Sequence, residues 1–388
     1  PERRGHDRTV RRDKFCRVAD NYGDLGVTWR LARQLALEYG LEVRLWGDEP
    51  GAFRRLCPQA DVGAGPWRID GVEVRQWPVD FPAVDVADVV IEAFACSLPE
   101  RYVAAMAERT NPALWLNLEY LSAEDWVAGC HGLPSPQPGG LRKFFFFPGF
   151  TEGTGGLLRE ADVLLRRRAF QADAEARRAF LAGLGIVPWA GARMISLFAY
   201  ENAALAGWLD ALAAAPEPPP LLVPRGRLEA DLCRWLGVSA LEDASHWRRA
   251  NLQVHLLPFL SQADYDRLLW CCDFNAVRGE DSFVRAQWAG RPLLWHIYQQ
   301  EEGAHWEKLS AFLDSYCVAL TDQAASALRA LWSAWNGKGD MAQPWQGLAE
   351  HGEPLAAHAE HWCQEQASRP DLAAALVQFH RNWLSCAA

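Results

Sequence analysis

The chain has 388 residues, half of them hydrophobic, and a formal net charge of -10 at pH 7. This length and composition predict two or three domains with ample apolar core, and the negative charge argues against nucleic acid as a partner. No apolar run approaches the ~20 residues that a membrane-spanning helix needs. Residues 1–12 are basic without an apolar signal core, so we expect a disordered lead that takes no part in the fold.

Ten cysteines are scattered through apolar segments without a C-x-x-C pair. This pattern is typical of reduced core residues in a cytosolic protein, so we expect a cytoplasmic location. A metal site at His358, His361 and Cys363 is an alternative, although that stretch has a helical pattern and no second cluster of ligands.

Extended apolar segments alternate with helical ones. Strands are predicted at 41–46, 72–77, 88–92 and 113–118, and again at 194–199, 221–223, 254–257, 274–277 and 292–297. This alternation predicts parallel, doubly wound α/β sheets. We predict two such domains, at 14–170 and 185–352, a helical tail at 353–388 that packs back on the first domain, and ligand binding in the cleft between the domains.

Two acids follow the first predicted strand. The stretch F-C-R-V-A-D-N-Y-G-D-L-G-V begins at Phe15, and a helical pattern then runs to Gly40. Asp20 and Asp24 are therefore expected at the carboxyl end of the first strand, where open α/β sheets bind ligands. An Asp-rich turn whose carboxylates only cap backbone amides is an equally open interpretation.

The stretch R-G-E-D-S, from Arg278 to Ser282, follows another strand and begins a helix. A helix N-terminus attracts phosphate, and Arg278 can add a forked contact to a diphosphate. Glu280 and Asp281 would repel phosphate unless they bind something else, such as sugar hydroxyls or a cation. Simple helix capping explains Asp281 and Ser282 but not Arg278 and Glu280 together.

Other nucleotide motifs lack support in the sequence. No G-x-G-x-x-G follows a strand and no P-loop is present, which argues against nicotinamide and P-loop nucleotide sites. The D-x-D pair of Asp264 and Asp266 falls in a predicted helix that Ser261 caps, so a metal-dependent sugar-nucleotide site is not supported. Phe259 and Gln262 could stack on and hydrogen-bond a base, and core packing of Phe259 is the equal alternative.

Four stretches together resemble the bacterial elongation factor P arginine rhamnosyltransferases. They are D-N-Y-G-D-L-G-V-T-W-R-L-A-R-Q-L at 20–35, I-E-A-F-A-C at 91–96, F-P-G-F-T-E at 147–152 and R-G-E-D-S-F-V-R-A-Q at 278–287. The last stretch is the most specific, and the resemblance runs from about Phe15 to the C-terminus.

The resemblance implies a GT-B glycosyltransferase with two facing Rossmann-like domains. It implies inverting transfer of rhamnose from dTDP-β-L-rhamnose to one arginine of elongation factor P, without metal or another cofactor, which activates the factor for relief of polyproline stalling. The matching positions are Asp20 and Asp24 in the first domain and Phe198, Tyr200, Phe259, Gln262, Arg278, Glu280, Asp281 and Ser282 in the second.

The chemistry of this reaction agrees with those residue types. A guanidinium group has a pKa far above neutral pH and is a poor nucleophile until a carboxylate takes or shares a proton. We therefore expect Asp24 to act as the base, Asp20 to support it, and Glu280 to be a further catalytic candidate. Two alternatives stay open: a sugar-nucleotide epimerase or hydrolase on the same fold, and a non-catalytic protein that binds elongation factor P.

Overall fold

The computed structural model describes residues 11–16, 23–48, 50–58, 66–94, 96–242 and 245–387, with only the backbone described at 11–16, 50 and 387. The chain divides into two compact units. The first comprises Pro1–Ala161 and Arg369–Ala388, and the second comprises Asp162–Ser368. Each unit contains its own sheet of mainly parallel strands.

The first unit contains an eight-stranded sheet. Its strands are β1 (Arg11–Cys16), β2 (Glu42–Gly47), β3 (Trp67–Ile69), β4 (Val72–Gln76), β5 (Val89–Ala93), β6 (Leu114–Leu118), β7 (Pro134–Pro136) and β8 (Arg142–Phe146). Its first helices are α1 (Gly23–Tyr39), α2 (Pro50–Leu56), α3 (Glu100–Ala107) and α4 (Trp126–Cys130). The spatial order is β3-β4-β2-β1-β5-β6-β8-β7, and only the edge pairs β3–β4 and β7–β8 are antiparallel among the described strands. The order therefore reverses between β1 and β5, which is the topological switch point of the sheet.

The lead before the first strand is shorter than expected. Arg11 pairs with Glu42, and Arg12 pairs with both Val43 and Val89, so both arginines belong to β1. A central strand gains backbone hydrogen bonds from neighbours on both sides, and these bonds do not require an apolar side-chain pattern. The expectation that residues 1–12 all take no part in the fold was therefore wrong at its last two positions.

The second unit contains a six-stranded sheet. Its strands are β9 (Ile195–Leu197), β10 (Leu221–Pro224), β11 (His246–Arg249), β12 (Leu252–Leu257), β13 (Phe274–Arg278) and β14 (Leu293–His296). Its helices are α5 (Val163–Ala172), α6 (Ala174–Gly183), α7 (Leu205–Ala213), α8 (Glu229–Leu236), α9 (Gln262–Cys271), α10 (Asp281–Trp288), α11 (Ala304–Tyr316), α12 (Asp322–Trp335), α13 (Ala342–Ala349) and α14 (Gly352–Ala367). The spatial order is β11-β12-β10-β9-β13-β14, and its described pairs are parallel except β11–β12. Its switch point lies between β9 and β13.

The boundaries of the units differ from the predicted domain limits at 170 and 353. Helix α5 belongs to the second unit because the buried Arg167 guanidinium donates to the Glu360 carboxylate, at 2.6 and 2.8 Å, and to the Ala289 carbonyl. Helix α14 belongs there as well, and Trp362 Nε1 donates to Gln287 Oε1 at 2.8 Å. Of the predicted tail, the last helix, α15 (Leu372–Ala387), packs on the first unit against α1. Among the helices of the described ranges, none has the length and hydropathy to span a bilayer.

Candidate active site

Asp24 lies in the first turn of α1, the helix that follows β1. Because β1 borders the switch point of the first sheet, this turn is at the edge where α/β sheets bind ligands. Asp24 is only 5% exposed, and its Oδ2 accepts a hydrogen bond from the Tyr120 hydroxyl at 3.1 Å. The structure thus holds one of the two predicted catalytic carboxylates at the expected edge, in contact with a phenol.

Tyr120, which contacts Asp24 in the structure, was not selected from the sequence. Its ring stacks on Phe94, with centroids 4.9 Å apart and planes 29° apart. Phe94 directly follows β5, has a positive φ of 54°, and donates its backbone N–H to the Leu118 carbonyl at 3.0 Å. The position of Tyr120 in the sequence was the one available signal. Asp24, Phe94 and Tyr120 follow the neighbouring parallel strands β1, β5 and β6, so all three lie at one edge of the sheet.

Asp20 and Glu92 are two other carboxylates of the first unit that the sequence motifs contain. Asp20 lies outside the described residues, so its catalytic role stays a prediction. Glu92, in the I-E-A-F-A-C stretch, is buried and accepts hydrogen bonds from Trp115 Nε1 at 2.7 Å and Lys143 Nζ at 3.3 Å. Burial raises the pKa of Glu92, and the nearby Lys143 offsets only part of that effect. These contacts connect side chains of β5, β6 and β8.

In the second unit, the R-G-E-D-S turn joins β13 to α10. Gly279 has a φ of 61°, a conformation that glycine adopts without steric cost. The Ser282 hydroxyl accepts the Arg278 N–H at 3.1 Å and donates to the Arg278 carbonyl at 2.5 Å. Trp295 Nε1 donates to the Gly279 carbonyl at 2.7 Å. These contacts fix the turn, so Ser282, a predicted donor contact, also shapes the loop that precedes α10.

The Arg278 side chain is buried between two aromatic rings. Its guanidinium carbon lies 4.3 Å from the centroid of Phe198 and 4.8 Å from that of Tyr200. A cation at these distances over a ring face is attracted to it, so the two rings hold the planar group. Three members of the predicted donor set therefore meet at the switch point between β9 and β13, where a nucleotide's phosphates are expected.

The two predicted phenylalanine contacts differ in accessibility. Phe259, just after β12, is 45% exposed. Its predicted partner in base binding, Gln262, begins α9 and is buried. The Phe198 ring has two neighbours. The Arg278 guanidinium lies over it, and the centroid of the Tyr265 ring lies 5.7 Å from its own centroid. Phe259 therefore offers an accessible face to a base, which favours base stacking over core packing, while Phe198 supports Arg278. The assignments of Phe259 and Gln262 to a base stay predictions.

Glu280 and Asp281 lie half-buried at the start of α10. The Glu280 carbonyl accepts the Val284 N–H at 3.0 Å, but the Glu280 side chain does not cap the helix. This agrees with the prediction that helix capping does not explain Glu280. Both carboxylates stay candidates for contacts to sugar or acceptor groups.

His296 lies beside this turn, as the register partner of Arg278 across β13 and β14. Its Nδ1 accepts the backbone N–H of Tyr200 at 3.3 Å. Burial, with a contribution from the Arg278 charge, lowers the pKa of His296 to about 4. The ring is therefore neutral at pH 7, and because its Nδ1 is an acceptor, its proton is on Nε2.

Two of the side chains that could have indicated a metal, Asp266 and His358, have polar partners within the protein. The buried Asp266 carboxylate accepts two hydrogen bonds from Arg285, at 3.0 and 2.7 Å. His358 Nε2 lies 2.6 Å from the Tyr316 carbonyl. Across the described ranges, no three His, Cys, Asp or Glu side chains are grouped as a metal site.

Solved structures of low sequence identity share this fold. The UDP-GlcNAc 2-epimerase from Neisseria meningitidis has a TM-score of 0.51 and 9% identity, covering 96% of this chain and 100% of the other. An alpha-glucosyltransferase in complex with UDP and DNA has a TM-score of 0.51 and 8% identity, covering 95% and 98%. These likenesses show the fold alone, which is that of GT-B enzymes, with one Rossmann-like sheet in each unit.

A particular family of such enzymes matches this chain over nearly its full length. The model of the elongation factor P rhamnosyltransferase family, EarP, matches residues 12–381. Protein-arginine rhamnosyltransferases from Pseudomonas putida and Neisseria meningitidis are 62% and 40% identical, covering 96% and 95% of this chain and 99% and 97% of the relatives. A solved structure described as the basis for EarP-mediated arginine glycosylation of elongation factor EF-P is 46% identical, with a TM-score of 0.69 and coverage of 96% and 99%. The chain belongs to this rhamnosyltransferase family and is an enzyme.

Proposed function

We propose that this enzyme moves L-rhamnose from dTDP-β-L-rhamnose to an arginine side chain of translation elongation factor P, with inversion and without a metal. The observation that carries the proposal is the Arg278 turn, a buried cation held between two aromatic rings immediately before the N-terminus of α10. Such a site suits a nucleoside diphosphate, and the relatives are protein-arginine rhamnosyltransferases. The cysteine pattern of the sequence supports a cytoplasmic location for the reaction.

The acceptor chemistry requires a carboxylate base. The arginine guanidinium must lose or share a proton before its nitrogen attacks the anomeric carbon. In this proposal Asp24 takes that proton, Asp20 holds the guanidinium fork, and Glu280 is a further catalytic candidate. Attack opposite to the leaving group breaks the bond between the sugar and the diphosphate, which inverts the anomeric configuration.

The leaving dTDP carries negative charge that must be stabilised. Arg278 and the backbone amides at the start of α10 provide positive charge and hydrogen-bond donors in fixed positions. In this proposal they perform the function that a divalent cation has in metal-dependent enzymes. Phe259 and Gln262 bind the thymine at the other end of the donor.

Mass spectrometry of intact elongation factor P tests the proposal. Incubation with the enzyme and dTDP-β-L-rhamnose should add one deoxyhexose, and peptide fragmentation should locate it on an arginine. An unmodified acceptor alongside consumed donor would instead indicate an epimerase or hydrolase. Binding of the acceptor without any donor consumption would indicate the non-catalytic alternative.

The variant Asp24→Asn tests the proposed base, because asparagine keeps the size of the side chain but removes its basicity. The variant should lower the transfer rate by about 10²–10⁴-fold, while calorimetry should show unchanged dTDP binding. Full activity in this variant would exclude Asp24 as the base.

A reaction of the unmodified enzyme in EDTA should proceed at the normal rate. A loss of activity that Mg²⁺ or Mn²⁺ restores would contradict the metal-free step.

A further inference from the structure

Two crossings of the chain connect the units, one after Ala161 and one before Arg369. The first-unit end of each crossing is held by hydrogen bonds. The Glu38 carboxylate, on α1, accepts the Ala161 N–H at 2.8 Å. The Leu157 carbonyl accepts the Leu372 N–H at 2.9 Å, which joins the chain before the first crossing to the chain after the second.

A single amide on α1 contacts both crossings. Gln34 is 2% exposed, and its Nε2 lies within hydrogen-bond distance of three acceptors. They are the Arg159 carbonyl at 2.8 Å, Glu38 Oε2 at 2.9 Å and Asp371 Oδ1 at 3.3 Å. Arg159 lies just before the first crossing and Asp371 just after the second. We call Gln34, Glu38, Arg159 and Asp371 the crossing clamp.

The two crossings also contact each other within the first unit. The Arg159 guanidinium donates to the Arg369 carbonyl at 3.1 Å. Gly156 has a φ of 72°, and a β-carbon there would overlap the Pro370 carbonyl oxygen. Only glycine allows this approach of one backbone to the other. The clamp therefore holds two segments that are already packed together.

On the second-unit side, helices lie next to both crossings. Helix α5 begins at Val163 and α14 ends at Ala367, so only Asp162 and Ser368 separate these helices from residues of the first unit. The two helices are themselves joined by an ion pair. Backbone freedom at the crossings is therefore confined to a few peptide bonds, and the clamp determines where these bonds start.

The helix that carries the clamp also carries the proposed base. Asp24 is in the first turn of α1, and Gln34 follows it by about 15 Å along the helix axis. We propose that Gln34 is a positioning residue for rhamnosyl transfer, because it fixes both connections to the donor-binding unit on the helix that carries the base. This inference rests on the proposed function, which assigns the base to Asp24 and the donor to the second unit.

Gln34→Met tests this role in the full-length enzyme, because methionine keeps the length and helix propensity of glutamine but removes the donor. The kcat for rhamnosyl transfer should fall about 3- to 10-fold, the effect of one lost hydrogen bond. The Kd for dTDP should not change, since its predicted contacts lie in the second unit. Gln378→Met is the matched control, because Gln378 is exposed on α15 and donates to Asn382 at 2.8 Å.

Glu38→Ala repeats the test at an exposed helical position, where alanine carries little risk to folding. It removes the acceptor of the Ala161 N–H and should lower kcat to a similar extent. Hydrogen–deuterium exchange then reports on the crossings themselves. Amides in peptides that cover 157–163 and 367–373 should exchange about 3- to 10-fold faster in both clamp variants, and at the unmodified rate in Gln378→Met.

Unchanged exchange in both clamp variants would overturn the clamp. Faster exchange with an unchanged kcat would overturn the positioning role, and a loss of dTDP affinity as large as the loss of kcat would show that Gln34 acts on the fold as a whole. Failure of the proposed function is distinguishable, because the unmodified enzyme would then transfer no rhamnose to elongation factor P, whereas the difference in exchange would persist.

Discussion

The Tyr120 hydroxyl orients the Asp24 carboxylate. It donates to Oδ2 at 3.1 Å, while the stack on Phe94 holds the phenol ring in place. A general base must lie within hydrogen-bond reach of the proton it removes and point toward it. Under the proposed mechanism, in which Asp24 is that base, a neighbour that fixes the orientation of its carboxylate contributes to the rate without contacting the substrate.

Tyr120→Phe isolates this effect, because phenylalanine keeps the stack and removes the hydroxyl. A hydrogen bond to a charged group contributes about 1.5–3 kcal/mol, so kcat for rhamnosyl transfer should fall by roughly 10- to 100-fold. Steady-state kinetics and calorimetry should show this fall with unchanged dTDP binding. Tyr102→Phe is the control: its hydroxyl accepts the Ala87 N–H in the same unit, at 3.1 Å. Equal kcat values for the Tyr120→Phe variant and the unmodified enzyme would contradict a positioning role.

At the scale of elements, the segment from β13 to α10 carries the predicted diphosphate site. Ser282 closes the turn through both backbone groups of Arg278. The rings of Phe198 and Tyr200, delivered by the segment after β9, hold the guanidinium. β9 and β13, which meet at the switch point, thus fix the position of the Arg278 guanidinium before any ligand binds. Binding then costs less side-chain conformational entropy.

Substitution of Arg278 should separate its charge from its shape. Arg278→Ala should weaken dTDP about 10- to 100-fold, because a charge-assisted contact to phosphate is lost. Arg278→Lys should restore only part of that affinity, since lysine keeps the charge but lacks the planar fork. Thymidine, which has no phosphate, is the control ligand and should bind all three proteins alike in calorimetry. Equal weakening of thymidine and dTDP would show that Arg278 acts on the base or on the fold.

The burial of His296 at the end of β14 predicts a pH dependence of stability. Its pKa is about 4 in the folded protein, against 6.5 for an ordinary histidine, so the unfolded chain binds more protons between these values. Its contribution to the free energy of unfolding is therefore present above pH 6.5 and is lost as the pH falls toward 4.

Between pH 7.5 and 5.0 this loss should be about 2 kcal/mol. Urea denaturation of the unmodified enzyme and of His296→Gln at both pH values measures the difference. Glutamine can still accept the Tyr200 N–H but does not titrate, so the variant should lose less stability on acidification. Parallel pH dependence in the two proteins would mean that His296 does not contribute.

At the scale of the whole molecule, the chain crosses from one compact unit to the other twice. Residues 162–368 form the second unit, and the chain then returns to add α15 to the first. The second unit includes both of its peripheral helices, α5 and α14, through the Arg167–Glu360 ion pair and the Trp362–Gln287 hydrogen bond. All of the predicted donor contacts lie within this unit.

The fragment Asp162–Ser368 should therefore fold alone and bind dTDP. A shorter fragment, 185–352, lacks α5, α6 and α14 and exposes the surface that they cover, so it should melt at a lower temperature. Thermal unfolding by circular dichroism and calorimetry with dTDP compare the two. A folded long fragment that fails to bind dTDP would contradict the assignment of the donor to the second unit alone.

The sequence by itself determined the features that local patterns encode. Alternating apolar runs predicted parallel α/β sheets, and the structure contains one in each unit. Every residue of β5 and β6 is buried, as is typical of strands covered on both faces. The capping pattern at Ser261 was also confirmed, since its hydroxyl accepts the Asp264 N–H. The motifs identified the family. All of these signals lie within a few residues of each other along the chain.

Only the tertiary structure decided which distant residues meet. The short antiparallel strands β3, β7 and β11 form against neighbours, and their few residues carry too weak a pattern to predict. The unit boundary depends on Arg167 and Glu360, which are 193 residues apart, and the Asp24 contact depends on Tyr120, 96 residues away. Periodicity shows that a side chain is buried, but its partner follows from how the sheets and helices pack, which no local pattern contains.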